Sequence, residues 1–222
     1  MFSVLTMASA GSAAGALALT GRWLGKQRDE LGRPRPFPVI SVSVLGVLAV
    51  VLTIPTIRRH HEEDKLSRVA SQLVGHRVKV HCQSLGQALT DIGSELGYVK
   101  WDEDGVPENQ TLIKRDPCGD LRKYYSGDKT HISQDEIIAV HVLTHESMHM
   151  RGLLDEAQAE CAAVQRDRET AEMLGATPQQ ARMLTRLYWG GVYPDMPDDY
   201  RSNDCVKGGS LDEHLDTAPW VN

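Results

Sequence analysis

Aromatic residues are scarce in this chain, and no stretch of it is strongly basic. Phe, Trp and Tyr make up 5% of the 222 residues, so a core must depend on Leu, Val, Ile and Ala. The net charge is -6, and no basic face is interleaved with aromatic residues. Nucleic-acid-binding proteins usually show both features. We therefore expect no nucleic-acid partner, and nothing in the sequence defines an oligomeric state.

Charged residues are absent from an apolar stretch that runs from Val39 to Ile57. This stretch just reaches the length that a helix needs to cross a bilayer. Soluble helices rarely stay apolar around their whole circumference over such a length. No clean small-x-small cleavage site follows, as a signal peptide would require. We predict a transmembrane helix over residues 39–57, with a buried core helix and a cleaved signal peptide as the alternatives.

Residues 1–38 precede this predicted span and fall into two parts. Met1 to Gly21 is uncharged and rich in small residues, which fits a weak first span, a disordered tail or a start site assigned too early. The second part is a basic loop that contains Arg22, Lys26, Arg28, Arg33 and Arg35. The positive-inside rule places this loop in the cytoplasm. Residues 1–38 are thus predicted to be cytoplasmic or partly membrane-associated, and residues 62–222 to lie outside, behind one span or two.

The four cysteines, Cys82, Cys118, Cys161 and Cys205, all follow the predicted span. An even number confined to an exported region predicts two disulfides. We favour Cys82–Cys118 and Cys161–Cys205, because each bridge joins neighbouring segments and closes a moderate loop. Four reduced cysteines in a cytosolic protein are the alternative. The spacings contain no CxxC pair, so a cysteine zinc site is not expected.

Hydrophobic periodicity predicts an α+β fold for residues 62–222, rich in helices and with a short sheet. The predicted helices cover residues 62–74, 85–96, 155–174 and 179–188, and the predicted strands cover 76–82, 98–101 and 111–113. Turns are predicted at residues 102–105 and 116–119. A further helix is predicted to begin at Ser133, which forms a capping-box pattern with Glu136, and to end near Gly152.

The chemistry of the sequence is concentrated at the end of that helix, in His145-Glu146-Ser147-Met148-His149. Residues four apart on a helix lie on one face, so His145 and His149 can bind one zinc ion. Glu146 lies beside the metal and can accept a proton from a metal-activated water. His141 lies one turn earlier on the same face, and we leave it out of the predicted ligands.

The next helix must supply the third ligand, and it begins with Asp155, Glu156 and Glu160. HExxH followed by Glu-x-x-Ala-Glu resembles the gluzincin branch of the zincin metallopeptidases over residues 133–165. The resemblance implies that Glu156 binds zinc and that Glu160 supports a ligand histidine. This sequence departs from the gluzincin pattern in one respect. Only residues 150–155 separate His149 from Glu156, which is a shorter linker than most gluzincins have. That linker requires a tight turn.

A second pattern competes for the third ligand. His145 to Asp155 also fits HExxHxxGxxD, which resembles a metzincin variant with Asp as ligand. A helical stretch follows here, where metzincins run into a loop, so Glu156 ranks first, then Glu160, then Asp155. Three tyrosines downstream, Tyr188, Tyr193 and Tyr200, could donate a hydrogen bond to an oxyanion.

The resulting hypothesis is a zincin-like Zn²⁺ metallopeptidase domain behind an N-terminal transmembrane helix. It hydrolyses a peptide or protein substrate, with His145, His149 and Glu156 on zinc and Glu146 as general base. The alternative is a zincin-shaped zinc-binding interaction domain without catalysis. A structural domain that holds no metal is a third hypothesis.

Overall fold

Two long helices make up the first part of the chain. The computed structural model describes residues 4–26, 28, 31–91, 93 and 95–221. The chain divides into two compact units, Met1–His61 and Glu62–Asn222. The first unit contains α1 (Val4–Gly25) and the N-terminal part of α2 (Val39–Val74). The helices predicted at 39–57 and 62–74 are thus parts of one continuous helix.

Within the described residues, α2 is the one helix that is long and apolar enough to cross a membrane, and none of its apolar window is buried. A core helix of a soluble protein would bury most of that surface. The C-terminal part of α2 belongs to the second unit and has the opposite character. There Leu66, Val69 and Ala70 are buried in the core of that unit.

The second unit contains a three-stranded sheet with strand order β1-β3-β2. Its strands are β1 (Lys79–Cys82), β2 (Gly97–Trp101) and β3 (Pro107–Ile113). β1 runs parallel to β3, with Cys82 opposite Ile113, and β2 runs antiparallel to β3, with Gly97 opposite Ile113. The sheet and the helices described below confirm the predicted α+β class.

The helices pack around a central one. The described helices after α2 are α3 (Leu85–Ala88), α4 (Arg115–Ser126), α5 (Gln134–Met150), α6 (Glu156–Val164), α7 (Asp167–Met173) and α8 (Pro178–Gly191). α5 contacts β2, β3, α4, α6, α7 and α8. Of its residues from Ile137 to Met150, only Ile138 is not buried. Because α5 lies in the core, polar side chains on it are buried as well and need partners.

Three predictions of local structure were wrong. Residues 116–119 are no turn but part of α4, since Pro117 lies in the first turn of the helix, where its missing N–H leaves no bond unmade. The predicted helix 85–96 ends at Ala88, and the Asp91 side chain accepts a hydrogen bond from the backbone of Gly93 instead. The predicted helix 155–174 breaks into α6 and α7.

The C-terminal segment of the chain contacts the junction between α6 and α7. The Gln165 side chain donates to the carbonyl of Leu211 and accepts from the N–H of Glu213. The Thr217 hydroxyl donates to the carbonyl of Gln165. These contacts occupy backbone and side-chain groups at the end of α6, and the helical periodicity of the sequence does not reveal them.

Two disulfides join the elements, and both predicted pairs are confirmed. Cys82–Cys118 links the end of β1 to α4, with 5.9 Å between Cα atoms, and Cys161–Cys205 links α6 to the C-terminal segment, with 5.6 Å. The second bridge lies directly after Glu160 in sequence. It therefore holds the C-terminal segment next to the helix that carries the predicted third ligand.

Candidate metal centre

α5 presents two histidines on one buried face. The helix begins with the predicted capping box, in which Ser133 and Glu136 satisfy each other's backbone N–H groups. His145 and His149 are four residues apart and both are buried, and their ring centroids lie 4.6 Å from each other. The regular spacing of the helix therefore places both imidazoles at its C-terminal end.

A tight turn brings the next helix back against these histidines. Gly152 adopts a φ of 101°, a left-handed conformation that ends helices and favours glycine. The N–H of Leu153 then donates to the carbonyl of Met148, over 3.2 Å. Asp155 caps α6 by accepting a hydrogen bond from the N–H of Gln158. The short linker between His149 and Glu156 therefore suffices, because the chain reverses within one turn.

Three ligand-type atoms meet at this corner. His145 Nε2 lies 2.9 Å from His149 Nε2 and 3.1 Å from Glu156 Oε2, and His149 Nε2 lies 3.3 Å from that same oxygen. Zinc bonds of about 2.0–2.1 Å at tetrahedral angles separate ligand atoms by roughly 3.3–3.4 Å. The three spacings are close to that value, so the side chains fit a tetrahedral metal ion.

The other nitrogen of each ring is already occupied. His149 Nδ1 donates to the carbonyl of Leu153 over 2.7 Å, and His145 Nδ1 lies 3.0 Å from Glu160 Oε2. Both acceptors require a protonated Nδ1, so each imidazole in its neutral form directs the lone pair of its Nε2 toward Glu156. Three acceptor atoms thus converge on one point. A proton can satisfy one pair of them, whereas a metal ion satisfies all three.

Glu160 lies behind His145, in a buried hydrogen-bond network. Its Oε2 lies 2.8 Å from His141 Nε2 as well, and its Oε1 accepts from the Tyr188 hydroxyl over 2.6 Å. His141 Nδ1 lies 2.8 Å from Asp167 Oδ2. Burial opposes the charge on His141, but the two carboxylates outweigh it and raise its pKa to about 10. The network holds Glu160 as a carboxylate that orients His145.

These contacts separate the three candidates for the third ligand. Glu156 Oε2 lies near both Nε2 atoms, whereas Glu160 reaches only the Nδ1 side of His145. Asp155 uses its carboxylate to cap α6. His141, His145 and Glu160 form a second group with metal-ligand atoms close together. There, however, each short distance is an ordinary hydrogen bond from a histidine nitrogen to a carboxylate oxygen, so no cation is required.

Glu146 lies on the sheet side of α5 and is buried. The Thr111 hydroxyl on β3 lies 3.3 Å from Glu146 Oε2. At Gly97 on β2, a Cβ atom would approach Glu146 Oε1 to 2.8 Å, so only glycine leaves room for the carboxylate there. Burial raises the pKa of Glu146 above its usual value, although His145 and His149 oppose the shift. Of the groups around Glu146, sequence reasoning missed Thr111 and Gly97, because their closeness depends on strand packing.

The three downstream tyrosines have different surroundings. Tyr188 is buried, and its hydroxyl donates a hydrogen bond to Glu160. The Tyr193 hydroxyl contacts the backbone of Ser202. Tyr200 is half-buried, its ring stacks on His145 with centroids 5.7 Å apart, and its hydroxyl has no hydrogen-bond partner among the described residues. Burial, with Glu156, Asp199 and Glu146 nearby, raises its pKa to about 12. A protonated, unpaired phenol therefore lies beside the centre.

If the corner holds a metal ion, His145 sets the pH dependence that we expect for its binding. Burial alone would lower its pKa, but hydrogen bonds to Glu156 and Glu160 outweigh burial and raise it to about 9 in the metal-free protein. A metal ion must displace that proton. We expect zinc affinity to increase between pH 6.5 and 9, by about tenfold per pH unit for each proton displaced, as measured by competition with a chelating dye.

The metal-free domain should show the opposite trend in stability. A pKa that is raised on folding stabilises the fold fully below the unfolded value near 6.5, and this contribution is lost as pH rises through 9. The Tm of the metal-free protein should therefore fall over this range, while that of the zinc-loaded protein should not. A zinc affinity that stays constant from pH 6.5 to 9 would contradict the assignment of His145.

Comparison with known proteins gives no independent assignment. No protein-family model matches the chain, and neither the curated proteins nor the solved structures include a significant match. The interpretation of the site therefore depends on its own geometry.

Proposed function

We propose that residues 62–222 form a zinc-dependent peptidase domain of the zincin type, anchored in a membrane by α2. His145, His149 and Glu156 hold the zinc ion, and Glu146 acts as general base. The substrate is a peptide or protein. The observation that carries the proposal is the convergence of three buried or half-buried acceptor atoms, each pair 2.9–3.3 Å apart, with both histidine Nδ1 atoms occupied elsewhere.

The proposed reaction assigns a separate role to each side chain. Zinc supplies Lewis-acid chemistry, which polarises a carbonyl group and makes a water molecule acidic near neutral pH. Glu146 takes a proton from the attacking water and passes it to the leaving amine. Its buried position and raised pKa make it a stronger base than an exposed glutamate. Glu160, His141 and Tyr188 keep His145 in the required orientation.

The number of candidate ligands favours catalysis over a structural zinc site. Structural zinc sites have four protein ligands, and catalytic ones have three and an open position. Among the described residues, the group of His145, His149 and Glu156 contains no fourth His, Cys, Asp or Glu. The direct test incubates the zinc-loaded domain with a peptide library and identifies products by mass spectrometry, with and without a chelator. Stoichiometric zinc without chelator-sensitive cleavage would favour the interaction domain.

Tyr200 is the tyrosine whose position fits a donor to the substrate carbonyl oxygen. Removing its hydroxyl in Tyr200→Phe should preserve the ring stacking on His145 and the zinc content, and should lower kcat by about 10²–10³-fold. Tyr193→Phe is the matched control, because it removes a hydroxyl that contacts backbone only. Equal effects of the two substitutions on kcat would refute a specific role for Tyr200.

The proposed location is a membrane, with residues 62–222 on the extracytoplasmic side. The uncharged part of α2, the basic loop before it and the two disulfides after it support this orientation. Reporter fusions after residue 61 should be active when the reporter functions only outside the cytoplasm. Activity of a cytoplasm-specific reporter at the same junction would overturn the orientation.

A further inference from the structure

The N-terminal helix α1, whose one charged residue is Arg22 in its last turn, lies alongside the apolar part of α2. The hydroxyl oxygens of Ser9 and Thr53 are 2.6 Å apart, and both lie within hydrogen-bond distance of the Ala49 carbonyl oxygen, at 3.1 and 2.7 Å. Farther along, a Cβ on Gly15 would lie 3.3 Å from Leu45 Cδ1. As residue numbers increase along α1, the residue numbers of the contacted positions in α2 decrease. The two helices therefore run antiparallel.

These contacts involve the middle of the proposed membrane span. Ala49 and Thr53 lie inside the uncharged stretch of α2, at the depth of the hydrocarbon core if that stretch crosses a bilayer. A helix that touches them directly cannot lie in water or on the membrane surface. We infer that α1 is itself a second membrane span, so that residues 4–57 form a transmembrane helical hairpin. This inference rests on the proposed membrane location of α2.

By length and composition alone, α2 is the one candidate span among the described residues, so the assignment of α1 depends on its contacts with α2, on its length and on the hydrogen bonds of three of its hydroxyl groups. The 22 residues of α1 correspond to about 33 Å of helix, close to the thickness of a bilayer core. Apart from Ser9, the hydroxyls of Ser12 and Thr20 donate to carbonyls one turn earlier, Ala8 and Ala16. Each of these polar groups is thus satisfied without water, as a membrane interior requires. The hydroxyl pair between Ser9 and Thr53 resembles the polar contacts that join membrane helices.

The connection between the two helices marks the cytoplasmic end of the hairpin. The Trp23 ring packs edge-on against Phe37, with centroids 5.1 Å apart, and its Nε1 donates to the Arg35 carbonyl. Tryptophan favours the membrane–water interface, and arginine and lysine favour the cytoplasmic side. The N-terminal end of α1 then lies on the same side of the membrane as residues 62–222. A single-span protein would place it on the opposite side.

Cysteine labelling in intact cells distinguishes these topologies. Ser3→Cys, Lys26→Cys and Glu103→Cys would each be introduced alone and treated with a membrane-impermeant maleimide. We expect labelling at positions 3 and 103, and labelling at 26 only after the membrane is permeabilised. Labelling at 103 but not at 3 before permeabilisation would overturn the second span and leave the proposed anchor intact. Protection at 103 would overturn the proposed orientation itself.

Cross-linking tests the contact between the helices directly. In the full chain in its membrane, Ser9→Cys with Thr53→Cys should form a disulfide under mild oxidation, because the two hydroxyl oxygens are 2.6 Å apart. Leu17→Cys with Val44→Cys is the matched control, since both side chains are exposed on the outer faces of the hairpin. A bridge that forms no faster in the first pair than in the control would refute the hairpin.

Discussion

Replacing Glu146 with Gln is expected to lower the rate of peptide hydrolysis by about 10²–10⁴-fold while leaving zinc content and fold unchanged. Gln has the shape of Glu, so it fits the space beside Gly97. Its side-chain oxygen can still accept a hydrogen bond from Thr111. It cannot accept a proton from water. The loss should appear in kcat, because the side chain acts on the reacting atoms and does not bind the rest of the substrate.

Two measurements make this result specific. Metal analysis and a thermal melt of the purified variant should match those of the parent protein. Glu169→Gln, on the exposed side of α7, is the matched control and should retain full activity. If Glu146→Gln hydrolyses peptides at the parental rate, Glu146 is not the general base and the proposed mechanism fails.

Replacing His149 with Ala is expected to abolish stoichiometric zinc binding. It leaves His145 and Glu156 as the only two converging atoms, and two ligands hold zinc poorly. Glu156→Ala should have the same effect, since its Oε2 approaches both Nε2 atoms. Glu160→Ala should retain zinc with about 10–100-fold weaker affinity, because Glu160 acts on the metal through His145.

The comparison among these variants tests the ligand assignment. Zinc per chain would be measured by mass spectrometry after dialysis at fixed free zinc, with His131→Ala as a control for loss of an exposed histidine. If Glu160→Ala loses zinc while Glu156→Ala keeps it, the third ligand is Glu160. If all variants keep zinc, the centre lies elsewhere in the chain.

The helix that carries the site was predictable because its signals are local. The capping box at Ser133, the apolar run that follows it and the stop at Gly152 are properties of neighbouring residues. The disulfide pairs were also predictable, because each joins segments that are close in sequence. The start of α4 was not recognised, since a proline in a first helical turn looks the same in sequence as a proline in a β-turn.

The choice among Asp155, Glu156 and Glu160 could not be settled from spacing alone. It depends on the angle of the turn at Gly152 and on which carboxylates already have partners. Asp155 caps α6, and Glu160 is drawn to His141 and Tyr188. The partner of His141, Asp167, belongs to the segment that was predicted as a continuous helix. Such competition between hydrogen-bond partners becomes visible only in three dimensions.

The tight turn between α5 and α6 also bears on how the centre assembles. All three proposed ligands lie between residues 145 and 156, so little chain entropy is lost when they are brought together. Because local contacts cost less chain entropy to form, we expect this corner to form earlier in folding than the pairing of distant strands. When the domain refolds with zinc, the amides of residues 141–160 should therefore become protected from hydrogen exchange first. The amides of the sheet should become protected only when the whole domain is folded. Insertions at residues 151–154 should be far more harmful than insertions in the exposed turn at residues 102–105.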